Sequence, residues 1–594
     1  MTAPASTLPA TSQDRAQLRL PLLRTERQRV GALLAVLAIL LGASMASESP
    51  TTDEPLHLTR GLAYFWGPDT SLSYSHPPLG NAFAALPIAL TAPRVDVGAL
   101  PGYAAGEAWT VSKNLLGSHY GRRRPWFFEA RAMIALSCVA LAFYVYRLAA
   151  SLFGSRVALW ALAFYALHPT LIAHGRLDTT DFPVTVAMVI AVGELVRFLR
   201  GDSRWHGVAA AFAVGAAMVT KYTGLLMVPL ASCAVIAVAS LRLGRYQQLS
   251  RGRALAAGAV YLSLSAAAAL FVIDAAYRFE RTGLTAAEML SLPEPASGEG
   301  RGFGGDALER ASILPKLPGG LPIPLPYTYV FGLAVLRAHD GVGHPTTFLG
   351  RTMRHGHPAY FPVMLLIKTP LALLIALGCA AYFALRRRGR LSLASWLLAG
   401  YALGLLLLAM RASINIGVRH VLPLMPVLCV LGALGAVQLL RALEQRSAQL
   451  ARRVALIALL GSIAGAAWSF PDYLSDFNLL VAGRLGGERI SIVGEEWGQD
   501  TLRLGRALRE RGVRQVYFSG DSVTSRLELA RLQVTSKRLG CPKLLPSNAY
   551  VAIQARDLAR HGDGCRRWAK QREPAFSIGA HVFVYQTGPN EQPF

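Results

Sequence analysis

The chain has 594 residues, of which 53% are hydrophobic and 16% are charged, and its mean hydropathy is +0.36. A soluble protein carries about a quarter charged residues, so the composition argues against an ordinary soluble enzyme and favours a polytopic membrane protein. The net charge of +25 does not indicate a nucleic-acid partner, because many of the arginines flank apolar segments, as topology signals do, and do not form one basic patch.

Eleven apolar runs predict eleven transmembrane helices. Most approach the ~20 residues that a helix needs to cross the ~30 Å hydrocarbon core. The run at 208–219 is short and is counted because the Lys-Tyr-Thr sequence after it interrupts a stretch too long for one crossing. Two further apolar stretches, 82–92 and 321–336, contain prolines and are expected to lie along the outer surface of the membrane. The eleven runs are 30–46, 132–149, 157–173, 184–199, 208–219, 225–241, 255–273, 361–385, 393–410, 421–440 and 454–468.

Arginine clusters predict the orientation. They precede the first run, separate the sixth from the seventh and the tenth from the eleventh, and follow the eighth. With eleven crossings all of them fall on one side, which the positive-inside rule makes cytoplasmic. We therefore expect a multi-pass protein of the cytoplasmic (inner) membrane with its N-terminus inside and its C-terminal region outside. The first helix would be an uncleaved anchor.

The predicted organisation has three parts. Residues 1–29 are expected to be a disordered cytoplasmic tail, and 30–468 a transmembrane domain with long external loops at 47–131 and 274–360. Residues 469–594 alternate predicted strands (490–493, 513–519, 550–553, 581–585) with helices (499–511, 525–532), which indicates a small extracytoplasmic α/β domain. Cys541 and Cys565 are the two cysteines of that domain, and we predict that the oxidising compartment joins them in a disulfide.

Polar residues gather at the predicted external ends of the helices. Asp53 and Glu54 follow the first run, and His76 lies in the same loop. Each residue also has an ordinary interpretation: solvated surface acids for the pair, helix N-capping for Asp181, and snorkelling to the interface for Lys221. Asp178 and Asp181 are also candidate ligands for a divalent metal such as Mg or Mn, although their spacing does not prove one, and no cofactor is otherwise indicated. The other members are Asp178, Asp181, Lys221, Arg411, Arg419 and His420.

These residues stand in motifs that resemble the GT-C superfamily of glycosyltransferases, which use polyprenyl-phosphate sugars. The chain is most similar to the family-39/83 group, which includes protein O-mannosyltransferases and lipid A aminoarabinose transferases, over about residues 30–505. The C-terminal domain does not match the MIR domain of eukaryotic mannosyltransferases, and Glu495-Glu496 stands where related bacterial chains often have an aspartate before the tryptophan. The motifs are DEPLH at 53–57, HPPLG at 76–80, RLDTTD at 176–181, TKY at 220–222, KTPL at 368–371, RHVLP at 419–423, YLSDFN at 473–478 and EWGQD at 496–500.

The resemblance implies a GT-C fold, an active site beneath the first external loop, and Asp53 as the catalytic base of an inverting transfer. The donor would be a lipid-phosphate sugar and the acceptor a protein, lipid or glycan. Lys221 and Arg419 are candidates for binding the phosphate, because the leaving group gains negative charge. Glu54 and His76 are candidates for positioning acceptor or sugar, and Asp178 or Asp181 for binding substrate or metal.

Two other classes of function are weighed against this one. A transporter or flippase for lipid-linked glycans is expected to show internal repeats and ionisable residues near the bilayer midplane, whereas this sequence shows no repeat and its acids cluster at one surface. A non-catalytic membrane scaffold that presents the C-terminal domain would tolerate changes at Asp53. Within the enzymes, a ligase for larger lipid-linked glycans is a further alternative.

Overall fold

The computed structural model describes residues 25–295, 306–386, 391–481, 483, 487, 490–491, 495–539, 547–560, 568–569, 571–579 and 581–589. The predicted tail up to residue 24, the arginines at 387–390 and the Cys541–Cys565 pair lie outside these residues. Most of the described chain is helical. Its longer helices are Glu26–Ser47, Glu54–Trp66, Pro78–Thr91, Ala108–Leu116, Tyr120–Phe153, Ser155–Ala166, Asp181–Arg200, Arg204–Met218, Met227–Ser240, Arg251–Ala276, Tyr327–Val342, Tyr360–Lys368, Leu371–Arg386, Leu393–Ala409, Leu424–Glu444, Ala448–Ser469, Thr501–Glu510 and Val523–Arg531.

Every one of the eleven apolar runs is helical in the described structure, but not every helix is long enough to cross a bilayer. Seven helices are long and apolar enough, and an eighth span results if one bent pair counts as a single crossing. That pair, Tyr360–Lys368 and Leu371–Arg386, bends by 116° at Pro370, which cannot donate a backbone hydrogen bond. The run at 157–173 is likewise divided before Pro169, which begins the short helix Pro169–His174. Prolines therefore explain two of the four differences from eleven uninterrupted helices, and the other two arise because Arg204–Met218 and Leu393–Ala409 have only 15 and 17 residues.

The two proline-containing apolar stretches also form helices, which pack over the transmembrane ones. Pro78–Thr91 packs against Glu54–Trp66, where a Cβ on Gly61 would overlap the Asn81 carbonyl oxygen. Tyr327–Val342 begins directly after its N-cap residue Pro326, where the missing backbone N–H of proline costs no intrahelical hydrogen bond. Its Tyr327 and Phe331 rings lie in a separate buried cluster of the second long loop.

The C-terminal region confirms the predicted α/β character. The second long loop contains the strand pair β1 (Thr346–Phe348) and β2 (Arg351–Met353), and the C-terminal strands are β3 (Gln515–Phe518), β4 (Thr535–Arg538), β5 (Tyr550–Gln554), β6 (Phe576–Ile578) and β7 (Val582–Gln586). The five C-terminal strands form one sheet in the order β4-β3-β5-β7-β6, with β3 parallel to β4 and β5, and β7 antiparallel to β5 and β6. The prediction of a strand at 490–493 was wrong for Ile490 and Ser491, which lie in a turn and in coil, and residues 492–493 are not described.

Candidate active site

A polar cavity of about 300 Å³ lies where the first long loop meets several helix ends. Six of the nine residues singled out from the sequence line it, although they come from five separate segments of the chain. This convergence is the main structural support for a functional site. The six are Asp53, His76, Asp181, Lys221, Arg419 and His420, and the wall also includes His57, Ser75, Trp109, Thr180, Tyr222, His339, Ile414 and Ile416.

Two acids and two cations alternate across the cavity. Asp53 Oδ2 lies 3.3 Å from Arg419 Nη1, and the same nitrogen lies 3.7 Å from Asp181 Oδ2. Lys221 Nζ completes the chain at 2.5 Å from Asp181 Oδ1. The two acids differ in access, because the Asp53 side chain is 37% exposed and that of Asp181 only 3%. Asp53 is therefore the acid that an incoming molecule can reach.

Local structure explains how these side chains reach the cavity. Asp53 is the N-cap residue of the Glu54–Trp66 helix but makes no capping hydrogen bond, which leaves its carboxylate available. The predicted N-cap role of Asp181 is not observed, because Thr180 occupies that position and Asp181 is the first helical residue. Lys221 lies at the break after the helix Arg204–Met218, where extended backbone precedes a short 3-10 turn.

Burial lowers the pKa of three cavity histidines, His57, His76 and His420, and so favours their neutral forms. The His57 and His76 ring centroids are 4.8 Å apart in an edge-on arrangement. His57 Nδ1 lies 2.9 Å from Asn81 Oδ1, and His76 Nδ1 lies 3.3 Å from Thr180 Oγ1. Burial lowers the pKa of His76 well below its ordinary value and that of His420 to about 3. At neutral pH these imidazoles are hydrogen-bonding groups, so Lys221 and Arg419 supply the positive charge.

Glu54 occupies a different environment from Asp53. Its side chain is fully buried and pairs with Arg131, whose Nε and Nη2 lie 2.6 and 2.7 Å from the two carboxylate oxygens. The backbone N–H groups of Thr51 and Asp178 also donate to it, at 2.6 and 3.0 Å. Burial opposes its charge, but Arg131 and these hydrogen bonds together lower the pKa of Glu54. Glu54 is not among the described residues that line the cavity, and its contacts are those of a structural ion pair.

Asp178 and Arg411 are also not brought into the cavity. Asp178 is buried, and burial followed by the nearby Glu54 charge raises its pKa well above the ordinary value. Arg411 is exposed in the turn that follows the helix Leu393–Ala409. Asp181 engages two cations, and the described part of the chain contains no group of three or more His, Cys, Asp or Glu side chains suited to a metal ion. These residues therefore do not fit the divalent-metal site that was considered for Asp178 and Asp181.

A second, largely apolar cavity of about 770 Å³ adjoins the polar one. The two share wall residues, including Tyr222, Leu336 and His420. The second cavity continues along Leu226, Phe361 and other apolar side chains of the transmembrane helices and the second long loop. The two cavities therefore adjoin, one with charged side chains in its wall and the other with a mainly apolar wall.

Sequence reasoning missed two features of the site. His57 follows Asp53 by one helical turn, so the DEPLH motif contained a signal for it. Trp497 was quoted only as part of a motif, yet the Arg419 guanidinium carbon lies 4.1 Å from its ring centroid. No periodicity or spacing indicates that a residue in the C-terminal region packs beneath a cavity cation.

Residues 126–273 match the family model described as dolichyl-phosphate-mannose-protein mannosyltransferase. The matched segment includes Asp181 and Lys221 of the cavity. The match supports the resemblance to GT-C glycosyltransferases that the sequence motifs indicated. None of the curated protein sequences matches this chain.

Several solved structures are similar in shape. ArnT from Cupriavidus metallidurans in the apo state is 14% identical, with a TM-score of 0.47 over 94% of this chain and 99% of that one. The same protein bound to undecaprenyl phosphate is 13% identical, with a TM-score of 0.46 over the same shares. The Archaeoglobus fulgidus oligosaccharyltransferase in the apo form is 14% identical, with a TM-score of 0.44 over 75% of this chain and 56% of that one.

Proposed function

We propose that this protein is a membrane glycosyltransferase that moves a sugar from a polyprenyl-phosphate donor to a protein, lipid or glycan acceptor. The observation that carries the proposal is the meeting of Asp53, Arg419, Asp181 and Lys221 in one cavity that adjoins a larger apolar one. The match of residues 126–273 to a family of lipid-phosphate-sugar transferases supports the same class of reaction.

The charge arrangement supports a lipid-phosphate donor. A phosphate at Arg419 and Lys221 would be held by charge-assisted hydrogen bonds, which are about twice as strong as neutral ones. The attached polyprenyl chain would lie in the apolar cavity beyond Tyr222 and His420. Both cations contact the Asp181 carboxylate, and Arg419 also contacts the partly exposed Asp53, so both are already positioned at the cavity wall.

The proposed reaction is a single displacement. Asp53 removes the proton of the acceptor hydroxyl while the acceptor oxygen attacks the anomeric carbon. The bond from that carbon to the phosphate oxygen breaks, and polyprenyl phosphate leaves with the bonding electron pair. Arg419 and Lys221 stabilise the growing charge on the phosphate. One displacement inverts the configuration at the anomeric carbon.

The test is transfer from a radiolabelled polyprenyl-phosphate sugar by purified enzyme reconstituted in lipid. Asp53→Asn should lower transfer about 10²–10⁴-fold, because the amide keeps the size of the side chain but cannot act as a base. Asp96→Asn is the matched control, since Asp96 is an exposed aspartate of the same loop outside the cavity. Normal turnover by Asp53→Asn would remove Asp53 as the base, and labelled lipid crossing vesicles without transfer would favour a flippase.

The site is proposed to face away from the cytoplasm, because the arginine-rich connectors lie at the other ends of the predicted helices. A reporter that is active only outside the cytoplasm should be active when fused after Phe594 and silent when fused after Arg388. The opposite pair of results would reverse the orientation. Mass spectrometry of glycans and glycolipids from a deletion strain would then identify the sugar and the acceptor.

A further inference from the structure

Among the described residues of the C-terminal region, the segment 495–502 packs against residues of the polar cavity wall. The Trp497 side chain in this segment is 5% exposed and lies beneath Arg419, with the guanidinium carbon 4.1 Å from the ring centroid. A cation above an indole face is attracted by the negative potential of the ring. The Arg419 guanidinium thus contacts Asp53 and Asp181 through Nη1, and it packs on the Trp497 ring.

The same segment is bonded to the loop that carries Asp53. Thr52 donates to the Trp497 carbonyl oxygen from its backbone nitrogen at 2.8 Å and from its hydroxyl at 3.0 Å. The backbone nitrogen of Ser49 donates to the Gln499 carbonyl oxygen at 3.0 Å. Because Thr52 immediately precedes Asp53, these bonds tie the position of the base to the position of Trp497.

Other contacts fix the segment itself. The Trp497 backbone nitrogen donates to Gln499 Oε1 at 2.7 Å. Glu495 pairs with Lys368 at 2.5 Å, and both side chains are almost fully buried. Such a pair resists displacement, because breaking it leaves an uncompensated buried charge. Trp497 is therefore built into a rigid support and is not a loop residue that happens to lie nearby.

We propose that Trp497 is a positioning residue that holds Arg419 for the donor phosphate, so that the C-terminal region is part of the active site. This inference rests on the proposed function, since it assigns Arg419 to the phosphate. Loss of a partly buried cation–π contact corresponds to about a 2- to 30-fold change in binding. Trp497→Leu should weaken phosphate binding within that range, and Trp497→Phe should weaken it less.

The experiment measures binding of undecaprenyl phosphate, and of the uncharged alcohol undecaprenol, to the full-length reconstituted protein. Trp497→Leu should weaken binding of the phosphate but not of the alcohol, because Arg419 recognises the charge. In an Arg419→Gln background Trp497→Leu should have no further effect. Trp205→Leu is the matched control, since Trp205 is 67% exposed and lies 5.7 Å from the Arg204 guanidinium carbon, away from the cavity.

Equal losses for the phosphate and the alcohol, or an undiminished loss in the Arg419→Gln background, would overturn the positioning role and show a general structural defect. Unchanged phosphate binding by Trp497→Leu would also overturn it. Failure of the proposed function is distinguishable, because in that case the wild-type protein itself would not transfer sugar from a lipid-phosphate donor.

Discussion

Two adjacent acids, Asp53 and Glu54, should respond oppositely to neutralisation. Glu54 accepts four hydrogen bonds, two from Arg131 and one each from the backbone of Thr51 and Asp178. The Glu54 and Arg131 side chains are 0% and 3% exposed. Glu54→Gln would leave the Arg131 charge buried without its partner, which costs about 3–5 kcal/mol of folding free energy.

Asp53→Asn should cost far less stability. The Asp53 side chain is 37% exposed, and ion pairs with that access to water contribute about 0–1 kcal/mol. The loss should appear in catalysis instead, where removing a general base lowers transfer about 10²–10⁴-fold.

The assay combines denaturant titration of each variant in detergent with transfer per folded molecule. Glu54→Gln should unfold at lower denaturant concentration and keep most of its specific activity, and Asp53→Asn should show the reverse. A Glu54→Gln protein that is as stable as wild type but inactive would refute the structural role of Glu54. It would restore Glu54 as a catalytic candidate.

Three further variants test other parts of the structure. Lys221→Ala should raise the KM for donor about 10- to 100-fold in a donor titration as well as slow transfer, because the phosphate is charged before and after the reaction. Burial raises the pKa of Glu496 from 4.5 to about 7, so the folded state holds a proton that the unfolded state has lost between those pH values. The free energy of unfolding should therefore fall by up to about 3 kcal/mol as pH rises through this window, and Glu496→Gln should flatten melting temperature against pH there. Gly332→Ala should lower stability by about 1–3 kcal/mol in the same thermal assay, because its Cβ would overlap the Tyr74 carbonyl oxygen. Gly341→Ala in the same helix is the control, since its Cβ would meet nothing within 4 Å and should not destabilise the protein.

The elements that sequence predicted well are those with a strong local signal. All eleven apolar runs are helical, because composition alone decides which segments can lie in lipid. The α/β character of the C-terminal region was also predicted, because segments with the hydrophobic period of a strand alternate with segments that have the period of a helix. The short strands β4 and β6 were missed. Three of the four residues of β4 are exposed, and its polar sequence (TSKR) carries no apolar alternation.

The sequence alone could not show which acidic side chains face the cavity, because that depends on where each helix begins. Asp53 and Glu54 are neighbours, but the helix begins at Glu54. The Asp53 carboxylate lines the cavity, whereas the Glu54 carboxylate binds Arg131. Asp178 and Asp181 also differ, because Asp178 is buried with its backbone nitrogen bonded to Glu54, whereas the Asp181 carboxylate contacts Lys221. Six of the nine residues singled out from the sequence line one cavity, but which acid faces the cavity depends on backbone geometry that spacing does not reveal.

The structure divides the cations at the predicted external ends of the helices into two classes. Arg131 and Arg176 each bind one fully buried acid, Glu54 and Glu48, within 2.6 Å. Such pairs are neutral as units and have no access to a ligand. Lys221 and Arg419 instead share acids that line a cavity. An anion that binds one of these cations leaves the buried Asp181 paired with the other cation, so that no buried charge loses its partner. This arrangement favours the proposed binding and release of a phosphate.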